Sequence, residues 1–227
     1  MSMHHIRPHK LFSMVAEESA MDRLVTMKIP RRVTPEQPDL SLKLLELMAI
    51  CACIRIVDAR SIFEFGTFCG NTTLHVALNS HHRTKIWTLD ADDATLESIG
   101  LMDMYRARAK FPLQFEGTQV ATKIKRLRMN SHDFEAAPFV AAAGRMDLVL
   151  IDGDHSTKGV SIDTQNADAM VAGYGCVLWH DYRNEECPEN TEYIDGLAHG
   201  RELFHILDSW LVMEFRGAVA ARLKAAL

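Results

Sequence analysis

Three short stretches of this chain combine glycines, acids and histidines in patterns that could hold a ligand and move a proton. The first is Glu64-Phe65-Gly66-Thr67-Phe68-Cys69-Gly70-Asn71-Thr72-Thr73, which follows an apolar run. Gly66 and Gly70 would let the backbone approach a ligand closely, and amides at the start of a following helix would point at it. The Gly-x3-Gly spacing is neither the Gly-x-Gly-x2-Gly turn of a dinucleotide site nor a phosphate loop with its lysine. A loop without a phosphate-binding cation, with Glu64 beside it, suits a cationic ligand that carries no phosphate. The other two stretches, Asp152-Gly153-Asp154-His155 and His180-Asp181-Tyr182, each join a carboxylate to a histidine. An imidazole titrating at about 6.5 can take a proton from a hydroxyl at neutral pH, which makes His155 the first candidate base and His180 the second. The plainer readings are that His155 stiffens its loop, Asp152 orders a strand end and Asp181 caps the next segment.

Asp90 closes another apolar run, Lys85-Ile86-Trp87-Thr88-Leu89. An acid at that point can take both hydroxyls of a ribose. Its plainer role is helix capping, for which Asp92 and Asp93 also stand ready.

The elements that must position these residues alternate along the chain. Ser61 to Phe65, Lys85 to Leu89, Ile124 to Met129, Asp147 to Ile151 and Cys176 to Trp179 read as strands. Helical patterns separate most of them, over Thr72 to Asn79, Ala94 to Ala109 and Lys158 to Met170, with another at Thr191 to Ala198. Asp39 or Ser41 could cap an earlier helix whose apolar face carries Leu42, Leu45, Met48 and Ala49. Phe204 to Leu207 and Leu211 to Phe215 lie close enough for a terminal antiparallel hairpin. The expected fold is therefore α/β: a Rossmann-like, doubly wound, mostly parallel seven-stranded sheet with helices on both faces. Ligands of such sheets bind beyond the C-terminal strand ends. There the polar residues collect: Glu64 to Asn71, Asp90, Asn130 to Asp133, Asp152 to His155, and His180 to Tyr182.

The bulk numbers exclude several classes. With 227 residues, 48% of them hydrophobic and 24% charged, the chain can build one substantial core. A net charge of −5 gives no field for nucleic acid, and the basic run Lys123 to Arg128 reads as the solvated flank of a strand. No apolar stretch is long enough to span a bilayer. Five cysteines without a paired metal motif read as free thiols, so the expected setting is soluble and cytoplasmic. The histidine-rich Met1 to Lys10 reads as a loose tail. The Pro30 to Pro38 stretch divides an N-terminal arm, 1–38, from a domain over 39–227. Met14, Val15, Met21, Leu24, Val25 and Met27 of the arm would pack on its own domain, lid the site or meet a partner in a homodimer.

The motif from Phe63 through Gly66 and Gly70 to Thr73 resembles the first motif of class I methyltransferases that use S-adenosylmethionine (SAM). Val149-Leu150-Ile151-Asp152-Gly153-Asp154-His155-Ser156 with Gly159-Val160 is similar to a branch of small-molecule O-methyltransferases. That branch includes macrolide-sugar and, more distantly, catechol O-methyltransferases. Gly175 to Tyr182 resembles its fifth-strand motif, and Phe115 to Ser131 the approach to its third strand. The resemblance implies that Glu64, Gly66, Thr67, Phe68, Gly70, Asn71 and Thr72 hold the methionine end of SAM and Asp90 the ribose. Ser131, His132 and Asp133 would line the adenine pocket, although Asn130 stands where the family often has Gly-Asp. Asp152 would border the cofactor and, with Asp181, bind a divalent metal such as Mg2+ that positions the acceptor hydroxyl. Catechol-type sites add an Asn after the second acid; here that position is Tyr182, so a third ligand is missing or comes from Asp154, His155 or His180. Trp179 and Tyr182 would wall an acceptor pocket or belong to the core. The expected activity is methyl transfer to a hydroxyl of a small molecule, with no nucleic acid or membrane partner. The alternatives are a non-catalytic SAM-binding or scaffold protein, or a metal-dependent enzyme of the same branch with another reaction.

Overall fold

A computed structural model describes residues 3–16, 26–30, 42–103, 106 and 112–225. Among the described residues eight strands form one sheet: β1 (Met3–Ile6), β2 (Ser61–Phe65), β3 (Lys85–Asp90), β4 (Ile124–Arg128), β5 (Met146–Ile151), β6 (Val171–Trp179), β7 (Leu203–Ile206) and β8 (Val212–Phe215). Their spatial order is β1-β7-β8-β6-β5-β2-β3-β4. β8 runs antiparallel to both of its neighbours, and every other pair is parallel. Every residue of β5 is buried, as a central strand covered on both faces requires.

The α-helices whose bounds lie among the described residues are α1 (Pro8–Ala16), α2 (Leu44–Ile56), α3 (Asn71–Asn79), α4 (Asp93–Ser98), α5 (Ala136–Ala143), α6 (Thr157–Met170), α7 (Pro188–Ala198) and α8 (Ala218–Ala225). Alternate strand residues feed two cores. Ile62, Leu148, Leu150 and Leu178 pack with Ile50, Ile54 and Val76 on one face. Phe63, Phe65, Val149 and Trp179 pack with Phe134, Val160 and Ile194 on the other.

The strand ends are aligned by hydrogen bonds that continue past the sheet. Gly66 N donates to Leu89 O (2.8 Å), Asp152 N to Phe65 O (3.0 Å) and His180 N to Ile151 O (3.0 Å). The loops after β2, β5 and β6 are thereby brought to one edge.

The seven strands read from the sequence are all present, and β1 is an eighth. The stretch expected to be a loose tail pairs with β7 in parallel, Met3 opposite Leu203 and Ile6 opposite Ile206. It escaped notice because an edge strand needs little apolar character, and Ile6 is its one fully buried residue. Met14 and Val15 are buried in the domain's own core, while Met21, Leu24 and Val25 lie outside the described residues. So do Asp39 and Ser41; Lys43 occupies the N-cap of α2. The helix expected over Ala94 to Ala109 is interrupted at Gly100 (φ +74°): α4 ends at Ser98, the chain is helical again at Met102, Asp103 and Arg106, and 104–105 and 107–111 lie outside the described residues. Lys123, Arg126 and Arg128 of the basic run are each tied down, to Ala77 O, Asp90 and Asp93.

Candidate active site

The turn after β2 is shaped by two glycines at which a side chain would force its neighbours to shift. Gly66 has φ +94°, and a Cβ there would lie 2.0 Å from the carbonyl oxygen of Asp152. Gly70 has φ +77°, and its Cβ would meet the Phe115 ring at 2.7 Å. Phe68 adopts φ +44° between them, and Gly70 N closes the turn on Thr67 O at 2.7 Å. Asn71 and Thr72, half-buried, open α3, where the first amides of a helix have no partner within it. Glu64 lies beneath the turn. One carboxylate oxygen accepts from Thr73 Oγ1 (2.5 Å) and Thr88 Oγ1 (2.6 Å). The other, Oε1, is buried without a partner. Burial pushes the Glu64 pKa up to about 8. A buried carboxyl with a spare oxygen under a glycine turn is suited to a cationic group, which would restore its charge.

Asp90 is buried at the end of β3, with Arg126 NH2 at 3.4 Å. Asp92, not Asp90, caps α4, accepting from Thr95 N at 2.9 Å. Ser131, His132 and Asp133 form a single 3-10 turn after β4, capped by Asn130 Oδ1. His132 Nε2 lies 3.0 Å from Asp154 Oδ2, which ties this turn to the loop after β5.

The loops after β5 and β6 bring Asp152, His155, His180 and Asp181 together. His155 Nδ1 lies 2.5 Å from Asp181 Oδ2. His180 Nδ1 lies 3.0 Å from Asp152 Oδ1 and 3.3 Å from Asp181 Oδ1. The His155 side chain is 57% exposed and that of His180 only 8%, so His155 is the one open to a substrate. Asp181 has φ +63° and accepts from Asn184 Nδ2 at 2.8 Å. The hydrogen bond to Asp181 raises the His155 pKa above its ordinary value, against burial. Burial alone would lower that of His180, but Asp152, Asp181 and Glu46 together hold it well above the usual range. Burial would raise that of Asp181, and the two histidines outweigh it and hold the carboxyl well below its usual range.

Four contributors escaped the sequence reading. Glu46 on α2 is 1% exposed, with Oε2 3.4 Å from His180 Nε2; its two oxygens also accept from Lys43 N and Trp210 N, each at 2.8 Å. Its signal was an acid in the otherwise apolar run Leu44 to Ile54. Thr73, rather than Thr72, holds Glu64. Asn184, three residues beyond Asp181, is the side-chain amide that binds it. Asp163 is wholly buried under Gly153, and burial pushes its pKa up to about 7. Trp179 and Tyr182 are core residues: the indole donates to Thr164 Oγ1 (2.9 Å) and the phenol to Asp195 (2.8 Å). Trp210, half-buried, stands 5.9 Å from the His180 ring.

Comparisons with known proteins bear on the fold and the family. No curated protein matches the chain in sequence. Among solved structures, an O-methyltransferase of Streptomyces achromogenes involved in tomaymycin synthesis, in complex with SAM, is similar at 14% identity and TM-score 0.54, over 92% of this chain and 90% of that one. A methyltransferase of Podospora anserina bound to S-adenosylhomocysteine (SAH) is similar at 13% identity and TM-score 0.53, over 94% and 89%. An O-methyltransferase of Bacillus cereus in complex with SAH is similar at 13% and 0.52, over 92% and 91%. At such identities these likenesses speak for the fold. The sequence itself matches the model of a methyltransferase domain over residues 63–182, from the middle of β2 to just beyond β6. That span is more than half of the chain, and the chain belongs to the methyltransferase-domain family.

Proposed function

We propose that the protein transfers a methyl group from SAM to a hydroxyl of a small molecule. The observation that carries this reading is the junction of two half-sites at one sheet edge. The carbonyl of Asp152, first residue of the acceptor side, packs on Gly66 of the cofactor turn. The same turn covers the unpartnered Glu64 Oε1, which fits the ammonium of the cofactor's methionine end. Asp90 would take the ribose hydroxyls, and Ser131 and His132 would border the adenine. When bound, the cofactor supplies an electrophilic methyl on sulfur.

The chain's own residues align the acceptor and accept its proton. In the in-line displacement the oxygen–carbon bond forms as the carbon–sulfur bond breaks, and sulfur keeps the electron pair. The hydroxyl proton goes to His155, whose Nδ1 is fixed by Asp181 and whose Nε2 is left to face the acceptor. Alignment of this kind removes much of the entropic barrier. Asp152 and Asp181 would also hold a divalent ion, which would lower the acceptor's pKa. Lys43, Arg183 and Trp210 line a cavity of about 400 Å³, and Trp210 also stands 5.9 Å from the His180 ring, so this cavity would be the acceptor's approach.

The test is turnover of radiolabelled SAM with a panel of phenols and hydroxylated sugars. Asp181→Ala is expected to lower turnover at least about a hundredfold while SAH binding survives. No transfer to any hydroxyl by folded, SAM-binding protein would contradict the reading.

A further inference from the structure

We propose that Asp152, His180 and Asp181 form a mixed oxygen–nitrogen metal site that selects a first-row transition ion over Mg2+, with His180 Nδ1 as the third ligand. The inference rests on the acceptor-site reading above and gives that site its ion.

The donor atoms already converge. Each of the three residues offers one within 4.8 Å of the others. His180 Nδ1 is 3.0 Å from Asp152 Oδ1 and 3.3 Å from Asp181 Oδ1, yet it is buried without a hydrogen bond to either. Neither oxygen is a hydrogen-bond partner of the nitrogen, although both lie at contact distance. Ligands around one ion have this arrangement. Atoms each about 2.1 Å from a common centre, at roughly 90–110° to one another, lie about 3.0–3.4 Å apart.

The far side of the ring is prepared as well. A ligating histidine commonly directs its other nitrogen at a carboxylate, which fixes the ring and its tautomer. Glu46 Oε2 stands 3.4 Å from His180 Nε2. Glu46 is itself held by the amides of Lys43 and Trp210, so its position comes from the backbone of α2 and the β7–β8 turn. Asn184 supports Asp181 in the same way, donating to Oδ1 at 2.8 Å. With the proton on Nε2, Nδ1 presents a lone pair between two carboxylates.

The donor set then decides the ion. Mg2+ favours oxygen ligands and keeps several waters, whereas an imidazole nitrogen shifts preference toward Mn2+, Fe2+, Co2+ or Zn2+. A second set of donors, His155, Asp181 and Cys187, shares Asp181. It is less prepared, because His155 Nδ1 already bonds Asp181 Oδ2 and the ring is more than half exposed. That leaves His155 for the acceptor's proton.

The probe is Co2+, titrated into the full chain with SAH bound, above neutral pH because a proton and an ion compete for Nδ1. Visible d–d bands saturating at one equivalent, displaced by Zn2+ and surviving excess Mg2+, are expected. His180→Ala is expected to weaken Co2+ binding by about tenfold or more with SAH affinity unchanged. That variant leaves carboxylates facing one another, so the wild type supplies a second measurement. Pulsed electron paramagnetic resonance of the Mn2+-loaded protein is expected to show imidazole nitrogen coupling that persists in His155→Ala. Three results would overturn the proposal. They are Co2+ binding untouched by His180→Ala, as adventitious binding at His4, His5 and His9 would give; no Co2+ binding while SAH still binds; or displacement of Co2+ by equimolar Mg2+. Failure of SAH to bind as well would overturn the acceptor-site reading itself, and this inference with it.

Discussion

Glu64 carries the clearest consequence of burial at the scale of one residue. Its carboxyl, raised from 4.5 to about 8, keeps a proton in the folded protein that the unfolded chain has already released. Between those two values the native state binds more protons, so stability of the free protein falls as pH climbs through that window. A bound ammonium reverses the preference and drives the proton off. SAH affinity is therefore expected to rise with pH, by up to about tenfold per unit, and to level near the Glu64 pKa. Calorimetric titrations across the range, repeated in Glu64→Gln, check this. A flat profile in the wild type would mean that Glu64 does not meet the charged end of the ligand. Single residues were also where the sequence was least legible. Glu46 reaches His180 across 134 positions of chain, a separation that no local pattern reports. Asp163 similarly looked like one more polar residue of a helix, and only packing shows it buried under Gly153.

Strand ends act as units, and most of the site could be read at this scale. An apolar run that stops at a polar group marks where a parallel strand leaves the sheet, and five such stops pointed to one edge. The glycine turn was legible because φ above zero restricts residue type. Gly66→Ala tests the turn directly. Its Cβ would fall 2.0 Å from the Asp152 carbonyl at φ +94°, so β2 or β5 must shift. A loss of about 3 kcal/mol or more by denaturant titration is expected, with SAH binding lost in whatever remains folded. A near-neutral result would show that the two loops do not press on each other. What the sequence could not give was the exact reach of elements that tertiary contacts define. β1 is a strand because β7 is there to pair with it, and α4 ends early at the Ile99-Gly100 turn.

Among the described residues one sheet lies between two large cores, and no helix is long and apolar enough to cross a membrane. The sheet's order places β5 at the centre, between β2 and β6. The cofactor turn and the acceptor loops therefore flank a single strand end, which is what a transfer between two bound molecules requires. Cofactor binding is the central claim, and calorimetric titration of the purified full chain with SAH tests it most directly. The account predicts one site per chain with micromolar affinity, weakened sharply by Glu64→Ala. Absence of any binding by folded protein would contradict it.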